Sequence, residues 1–195
     1  MTDQPHQPDQ PDQPDQPLPT LGTLVPLPAL ERLDLVAAPV ATALAAWPAA
    51  AGVAVVEIDP EHADTATLSE VYELGMDTGA NCVLVGGRRG DDDRVAACLV
   101  RADTRAEVNT VVRRLLDVRK ASFLPMDRAV GESGMEYGGI TPVGLPATWR
   151  LLIDERVIAM PVAVIGSGLR RSKLLVRGAD LASLPGAEVV PDLAR

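Results

Sequence analysis

Residues 134–146 read Gly-Met-Glu-Tyr-Gly-Gly-Ile-Thr-Pro-Val-Gly-Leu-Pro, and the interpretation of the chain starts from them. Four glycines and two prolines in this segment exclude a helix or a central strand. Gly138 and Gly139 let the backbone come close to a ligand, and Pro142 fixes the direction in which the chain leaves. Such a loop can present amide N–H groups to a carbonyl oxygen, which polarises an ester without a charged side chain. A purely structural turn explains the same residues equally well.

Strand and helix patterns lie on both sides of this loop. Residues 81–86 and 94–101 are apolar runs around a polar, glycine-bearing turn, which predicts a β-hairpin. Capping-box patterns at 67–70 and 104–107 each predict the start of a helix. The other predicted strands are 52–58, 120–124, 150–154, 162–165, 173–176 and 187–190, and the other predicted helical segments are 30–47, 125–130 and 179–184. Because strands and helices are intermixed without βαβ alternation, the pattern favours an α+β domain with a mixed sheet.

The first nineteen residues differ in composition from the rest. Residues 4–17 form a near-perfect three-residue repeat of Asp or His, Gln and Pro. Proline removes backbone donors and favours an extended chain, while Gln and Asp bring no apolar surface to bury. The segment also lacks the basic start and apolar core of a secretory signal. We therefore expect a disordered tail at 1–19, a helical extension at 20–50 and a globular domain at 51–195.

Charge and hydropathy narrow the functional class. A net charge of −9 argues against general nucleic-acid binding. Basic residues nevertheless cluster locally, and each cluster is either a solvated face or a contact for an anionic partner. The longest apolar stretch, at 36–56, is interrupted by Pro39, Pro48 and Gly52, which excludes a membrane span there. Only two cysteines occur, without zinc-site spacing, so we expect a cytoplasmic protein.

Residues that usually carry nucleophilic or metal chemistry are scarce. Histidine occurs only at His6 and His62, so a Ser–His or Cys–His pair would have to use His62. Cys82 and Cys98 lie in apolar strand-like runs, which is typical of small buried residues. No glycine-rich segment has the strand and helix context of a phosphate-binding loop. The sequence therefore indicates neither a metal nor a cofactor.

Residues 134–144 resemble the signature of the YbaK/ProX family of aminoacyl-tRNA editing domains, which is a glycine, an aromatic or aliphatic residue, then Gly-Gly-(Val/Ile)-x-Pro-x-Gly. The resemblance covers about residues 55–190, including the hairpin, the 104–116 helix and the glycine-basic turn at 166–171. It implies a mixed, barrel-like β-sheet flanked by helices. It also implies a trans-acting deacylase that hydrolyses the ester of mischarged aminoacyl-tRNA. Such an enzyme binds the acceptor end of the tRNA and needs neither cofactor nor metal.

The resemblance also implies which residues form the site. Gly138 and Gly139, within the family's GxxxP element, would contact the aminoacyl carbonyl while water attacks it. Asn81 stands where the family usually carries a lysine, so it can orient water or a carbonyl but offers no charge. Arg119 or Lys120 would supply that missing cation. The further positions expected to bind substrate are Ile140, Thr141, Pro142, Gly166, Ser167 and Gly168, and those expected to contact tRNA are Arg119, Lys120, Arg170 and Arg171.

Two other interpretations stay open at this point. Asn81 in the lysine position favours a binder of tRNA ends or small amino-acid-like ligands, with little or no catalysis. The repeat tail favours an interaction protein that recruits a partner, for example a proline-binding module. Replacing Asn81 with lysine tests the first interpretation, and deleting residues 1–19 tests the second.

Overall fold

The computed structural model describes residues 17–195, which form two β-sheets and six α-helices. The tail prediction, insofar as it concerns residues 1–16, lies outside the described part of the chain. The strands are β1 (Leu27–Pro28), β2 (Ala54–Glu57), β3 (Ala80–Arg89), β4 (Asp92–Arg101), β5 (Ala121–Phe123), β6 (Arg150–Asp154), β7 (Ala163–Gly166), β8 (Ser172–Val176) and β9 (Ala187–Val190).

The two sheets are open and pack against one shared hydrophobic core. The first has the order β1-β2-β8-β7 and is antiparallel, whereas the second has the order β5-β3-β4-β6-β9 and is mixed, because β6 runs parallel to β4 and β9. They meet at a bridge between Gly79 and Val164. The predicted α+β class with a mixed sheet is confirmed. The barrel-like closure is wrong, because one isolated bridge between the sheets does not extend into a ladder among residues 17–195.

The helices are short and follow local signals at several ends. Pro39 lies in the first turn of α1, where its missing N–H costs nothing. Gly134, with φ of 67°, ends α4 in the left-handed conformation. None of the helices in residues 17–195 has the length and apolar character that a bilayer crossing requires. The α-helices are α1 (Ala38–Ala46), α2 (Thr65–Val71), α3 (Arg113–Leu116), α4 (Met126–Ser133), α5 (Glu155–Ile158) and α6 (Gly178–Leu181), and a π-helical turn, Val108–Val112, precedes α3.

The two capping-box patterns predicted the helix starts wrongly. The first predicted start is too late in the sequence and the second is too early. The first helix begins at Thr65, directly after the extended residue Asp64, so the 67–70 pattern lies inside α2. In the second case the helical turn begins only at Val108. Residues 105–107 pair instead with the C-terminal residues 193–195, and this long-range pairing overrides the local pattern.

The hairpin is longer than the sequence pattern indicates. Residues 87–93, expected as a polar turn, are mostly strand, because the antiparallel ladder continues through the pairs Arg88–Asp93 and Arg89–Asp92. The connection is reduced to Gly90 and Asp91, and Gly90 takes a φ of +62° there.

Residues 20–50 contribute to the same hydrophobic core as the later strands. Val40 and Leu44 of α1 are buried in one cluster with Ile153 and Leu174. The N–H of Ala37 donates to the carbonyl of Ser167 at 3.1 Å. This segment therefore contacts the turn between β7 and β8 and holds it in place.

Candidate active site

A cavity of about 60 Å³ opens where the two sheets meet. Its walls are α2, the first residues of β3, part of the glycine-rich loop and the facing ends of β7 and β8. A cavity of this volume holds about five water molecules or one small side chain. The lining residues are Ala63, Thr65, Leu68, Ser69, Leu74, Thr78, Gly79, Ala80, Asn81, Cys82, Gly138, Ile140, Val164, Ile165, Gly166 and Lys173.

Asn81 and Gly138, far apart in the sequence, both line this cavity. The Oδ1 atom of Asn81 accepts a hydrogen bond from the Thr65 hydroxyl at 3.2 Å. This bond orients the amide, and among residues 17–195 the Nδ2 group of Asn81 has no acceptor and can donate to a ligand. Asn81 and the glycine-rich loop therefore line the same cavity.

The loop's backbone N–H groups are used only in part by the protein itself. The N–H of Gly139 donates to the carbonyl of Glu136 at 2.9 Å, and its carbonyl accepts from Gly168 at 2.7 Å. Among residues 17–195, the N–H groups of Gly138 and Ile140 have no acceptor. Donors for a carbonyl oxygen therefore remain at 138 and 140, whereas the Gly139 amide, expected to contact the carbonyl, is already paired.

Gly138 and Gly139 are needed for different reasons. Gly138 has a φ of +82°, a conformation that residues with a Cβ rarely adopt. At Gly139 a Cβ would lie 2.8 Å from the backbone of Leu169, so a side chain would push the loop away from the β7–β8 turn. The first glycine thus sets the shape of the loop and the second sets its distance from that turn.

Of the turn at 166–168, Gly166 is the residue that lines the cavity. Ser167 is fully buried, and its hydroxyl lies 2.7 Å from the hydroxyl of Ser172. A Cβ on Gly168 would lie 2.4 Å from the Cβ of Ala37, so this glycine packs against the start of α1. Ser167 and Gly168, expected to bind substrate, instead hold the turn together.

Thr141 and Pro142 are buried and do not line the cavity, although the sequence interpretation assigned them to substrate binding. The Thr141 hydroxyl has no hydrogen-bond partner among the described residues. Pro142 lines a separate apolar groove together with Trp47 and Trp149. Of the loop's predicted substrate-binding residues, Ile140 is the one that faces the cavity.

Lys173 is the cavity residue that the sequence interpretation missed. Its side chain is 7 % exposed, and Nζ donates to the carbonyl of Ala63 at 2.9 Å and to that of Gly138 at 3.5 Å. Burial, and to a lesser extent the positive charge of Arg170, lowers the pKa of Lys173 to about 8. A signal was available in the sequence, because Lys173 is a lone charged residue in the apolar run that becomes β8, whose residues are all buried.

Thiol, imidazole and metal chemistry fit the cavity poorly. Cys82 lines it, but burial raises the pKa of its thiol far above the ordinary value, so the nucleophilic thiolate is not populated near neutral pH. Cys98 is buried and unpaired, and burial raises its pKa to about 12. His62 is not among the lining residues. Within residues 17–195, no group of three His, Cys, Asp or Glu side chains is arranged to hold a metal ion.

Of the four basic residues expected to contact tRNA, Arg170 is the one whose recorded contacts place it beside the cavity. Arg170 reaches its edge, where Nη1 is 3.5 Å from the carbonyl of Tyr137, the neighbour of Gly138. Arg171 is exposed and donates to the carbonyl of Asp34 at 2.6 Å. The two guanidinium groups therefore contact different backbone segments, and that of Arg170 is the one beside the glycine-rich loop.

Arg119 and Lys120 lie at the other end of β3. They precede β5, which pairs with residues 85–87 of that strand. Counted along the strand, Asn81 is about 20 Å from Gly87, which pairs with Ala121, the neighbour of Lys120. Neither residue lines the cavity, so the expectation that one of them replaces a cation beside Asn81 does not agree with this geometry.

The fold recurs in solved structures. One is described as "a putative trans-editing enzyme for prolyl tRNA synthetase", with 18 % identity, a TM-score of 0.67 and coverage of 85 % of this chain and 96 % of that one. Another, the hypothetical protein APE2540, has 18 % identity and a TM-score of 0.64, with coverage of 72 % and 90 %. At these identities the likeness shows the fold alone. No curated protein matches the chain.

The sequence model of the aminoacyl-tRNA editing domain matches residues 59–184. This span exceeds half of the chain and contains Asn81, the glycine-rich loop and Lys173. The resemblance to YbaK/ProX editing domains is thereby confirmed. The chain therefore belongs to the aminoacyl-tRNA editing domain family.

Proposed function

We propose that this protein is a trans-acting aminoacyl-tRNA deacylase, which hydrolyses the ester bond of mischarged aminoacyl-tRNA in the cytoplasm. The observation that carries the proposal is the cavity shared by Asn81 and Gly138, with unused N–H groups at Gly138 and Ile140. Backbone donors at such a position stabilise the charge that develops on an ester carbonyl oxygen during attack. Membership of the editing-domain family supports the substrate class.

The chemistry requires only water as the co-reactant. Water adds to the acyl carbon while the carbonyl oxygen is held by the loop N–H groups. The ester C–O bond then breaks, the ribose oxygen takes up a proton, and the products are a free amino acid and uncharged tRNA. Asn81 contributes through Nδ2, which can position the water or the carbonyl oxygen because Oδ1 is engaged by Thr65.

A panel of tRNAs charged with incorrect amino acids tests the proposal. We expect the purified protein to release the amino acid from at least one member faster than the uncatalysed rate. The small cavity favours a small acyl side chain. Absence of turnover on every mischarged tRNA, at high enzyme concentration, would retire the proposal.

Replacing Asn81 with alanine is expected to slow deacylation about 100-fold, since one donor to the reacting atoms is lost. The protein should keep its stability, because Asn81 is exposed and its hydrogen bond to Thr65 is a surface bond. Single-turnover kinetics and thermal unfolding measure the two quantities. Asn109→Ala is the control, because Asn109 is the other asparagine of the chain and lies outside the cavity. Equal rates for both variants would contradict a role for Asn81.

A binder with little catalysis is the second candidate, and the uncharged, exposed Asn81 favours it. Asn81→Lys separates the two candidates. If the parent protein is inactive and the variant hydrolyses the ester, the interpretation as a binder is correct. If the parent is active and the variant slower, asparagine belongs to an altered active site.

Tyr137 is expected to bind the terminal base of the tRNA. Its ring is 61 % exposed directly before Gly138, and exposed aromatic rings stack on unpaired bases. Tyr137→Ala should raise KM for aminoacyl-tRNA about 10-fold with little change in kcat, whereas Tyr137→Phe should behave like the parent. Phe123→Ala is the matched control, because Phe123 is 65 % exposed and lies on β5, and it does not line the cavity. An unchanged KM in Tyr137→Ala would exclude the stacking role.

A further inference from the structure

Lys173 is the one buried cationic side chain among residues 17–195. It lies in the middle of the four-stranded sheet, where β8 pairs with both β2 and β7, and it projects toward the start of α2. Lysine is almost never buried unless its charge is compensated by a partner. Its position inside the proposed active cavity therefore needs an explanation.

The hydrogen bonds of Lys173 leave its charge without a carboxylate partner. Both acceptors of Nζ are neutral carbonyls, those of Ala63 and Gly138, and none of the salt bridges within the described residues includes Lys173. An ammonium group has three N–H donors, so one remains for the cavity. The geometry is that of a cation whose third partner is a ligand.

The charges around Lys173 do not cancel its own. Arg170, on the β7–β8 turn, disfavours the ammonium form, and Asp64, at the start of α2, favours it. His62 precedes Ala63, whose carbonyl accepts from Nζ. Burial dominates, and the pKa falls to about 8, so the ammonium form still prevails near neutral pH. A negatively polarised oxygen in the cavity would provide the counter-charge that Lys173 lacks among the described residues.

We propose that the Lys173 ammonium group donates its remaining N–H to the acyl carbonyl oxygen of the substrate and so stabilises the oxyanion of the tetrahedral intermediate, an assignment that rests on the proposed deacylase function. Nζ already touches the carbonyl of Gly138, so it shares the loop's face of the cavity with the free N–H groups. A charged donor strengthens the hold on a developing anion beyond what neutral amides supply. Lys173 transfers no proton in this step, and water remains the nucleophile.

Replacing Lys173 with methionine is expected to reduce single-turnover deacylation by about 100- to 1,000-fold. In the wild type, the rate above the uncatalysed background should fall as the pH rises through about 8, because the ammonium form is lost. The methionine variant should lack this fall. Arg113→Met is the matched control, because Arg113 is an exposed cation of α3 that lies outside the cavity.

The same variant should be more stable than the wild type. Because the pKa of Lys173 falls from 10.5 to about 8 on folding, the unfolded chain binds more protons between these values. The free-energy cost of burying the charged Lys173 ammonium group is therefore fully present below about pH 8, and it disappears as the pH rises toward 10.5. We expect Lys173→Met to raise the urea midpoint at pH 7 and to lose this advantage above about pH 10. Loss of activity in a variant of raised stability cannot come from misfolding.

Binding of a non-hydrolysable analogue separates failure of this assignment from failure of the proposed function. In 3′-aminoacylamino-3′-deoxyadenosine, an amide replaces the ester. Its affinity for the wild type, measured by calorimetry, should be higher at pH 6.5 than at pH 9.5, with the methionine variant correcting for titration of the ligand. If the wild type deacylates no tRNA but shows this dependence, the deacylase proposal fails and the oxygen contact stands. If Lys173→Met binds the analogue like the wild type, or deacylates at the rate of an active wild type, the assignment of Lys173 is overturned.

Discussion

Replacing Gly166 with alanine is expected to lower the free energy of unfolding by about 3 kcal/mol and to abolish deacylation. A Cβ at this position would lie 2.3 Å from the carbonyl oxygen of Gly139 and 2.6 Å from that of Ile140. These are backbone atoms, so no side-chain rotation relieves the clash. Gly166 is also held by its pairing with Lys173, so β7 cannot retreat from the loop. The loop would have to move away, and the cavity wall would move with it.

Urea unfolding and single-turnover deacylation measure the two effects. Gly131→Ala is the matched control, since Gly131 lies in α4 and an added Cβ meets no atom within 4 Å. That substitution should stabilise the protein by about 0.5–1 kcal/mol, because alanine favours a helix over glycine, and it should leave the activity unchanged. If Gly166→Ala unfolds at the same urea concentration as the wild type, the close contact between β7 and the loop does not exist in solution.

Replacing Asp154 with alanine is expected to cost about 3–5 kcal/mol of stability. The Asp154 carboxylate is 1 % exposed and accepts two hydrogen bonds from the Arg156 guanidinium, at 2.8 and 3.0 Å. It also accepts from the backbone N–H of Arg156 and of Ala194, both at 2.9 Å. Among the described residues, alanine would leave the two backbone N–H groups without an acceptor and the Arg156 guanidinium with only the carbonyl of Ala194. The start of α5 and the C-terminal segment would loosen together.

The control for this prediction is Asp103→Ala. Asp103 also pairs with an arginine, Arg101, but the pair lies on the surface, where solvent screens it. Its loss should cost no more than about 1 kcal/mol. Comparable losses in the two variants would show that the Asp154 network contributes no more than a surface pair. Neither residue lines the cavity, so the catalytic rate of the folded fraction should be unchanged in both.

The cavity is assembled at a junction between the sheets, which explains why its parts come from distant segments. Asn81 begins a strand of the five-stranded sheet, and Lys173 belongs to the four-stranded one. The glycine-rich loop lies against the turn that joins β7 to β8. A charged group beside the loop is thus provided from the opposite sheet, while the strand position at 81 is uncharged. The distribution of charge in this site differs from what the resemblance implied.

The amino-acid sequence was sufficient to predict the class of the fold, most of the strands and the importance of residues 134–146. Alternating and continuous apolar runs are local properties, and β6 and β9 were predicted with the bounds that they have. A cluster of glycines and prolines likewise restricts the backbone wherever it occurs. The family resemblance drew on the same local signals. These features needed no knowledge of distant contacts.

Tertiary structure alone decided which of the predicted residues face the cavity and which of them only support it. Ser167, Gly168 and the Gly139 amide are consumed by internal contacts, which depend on how the loop meets the β7–β8 turn. Lys173 was not among the residues expected in the site, because sequence spacing does not reveal that β2 and β7 pair with its strand on both sides. Burial, hydrogen-bond pairing and the pKa of a lysine are properties of surroundings built from residues remote in sequence. For that reason the chemistry of this site became visible only once the two sheets were placed against each other.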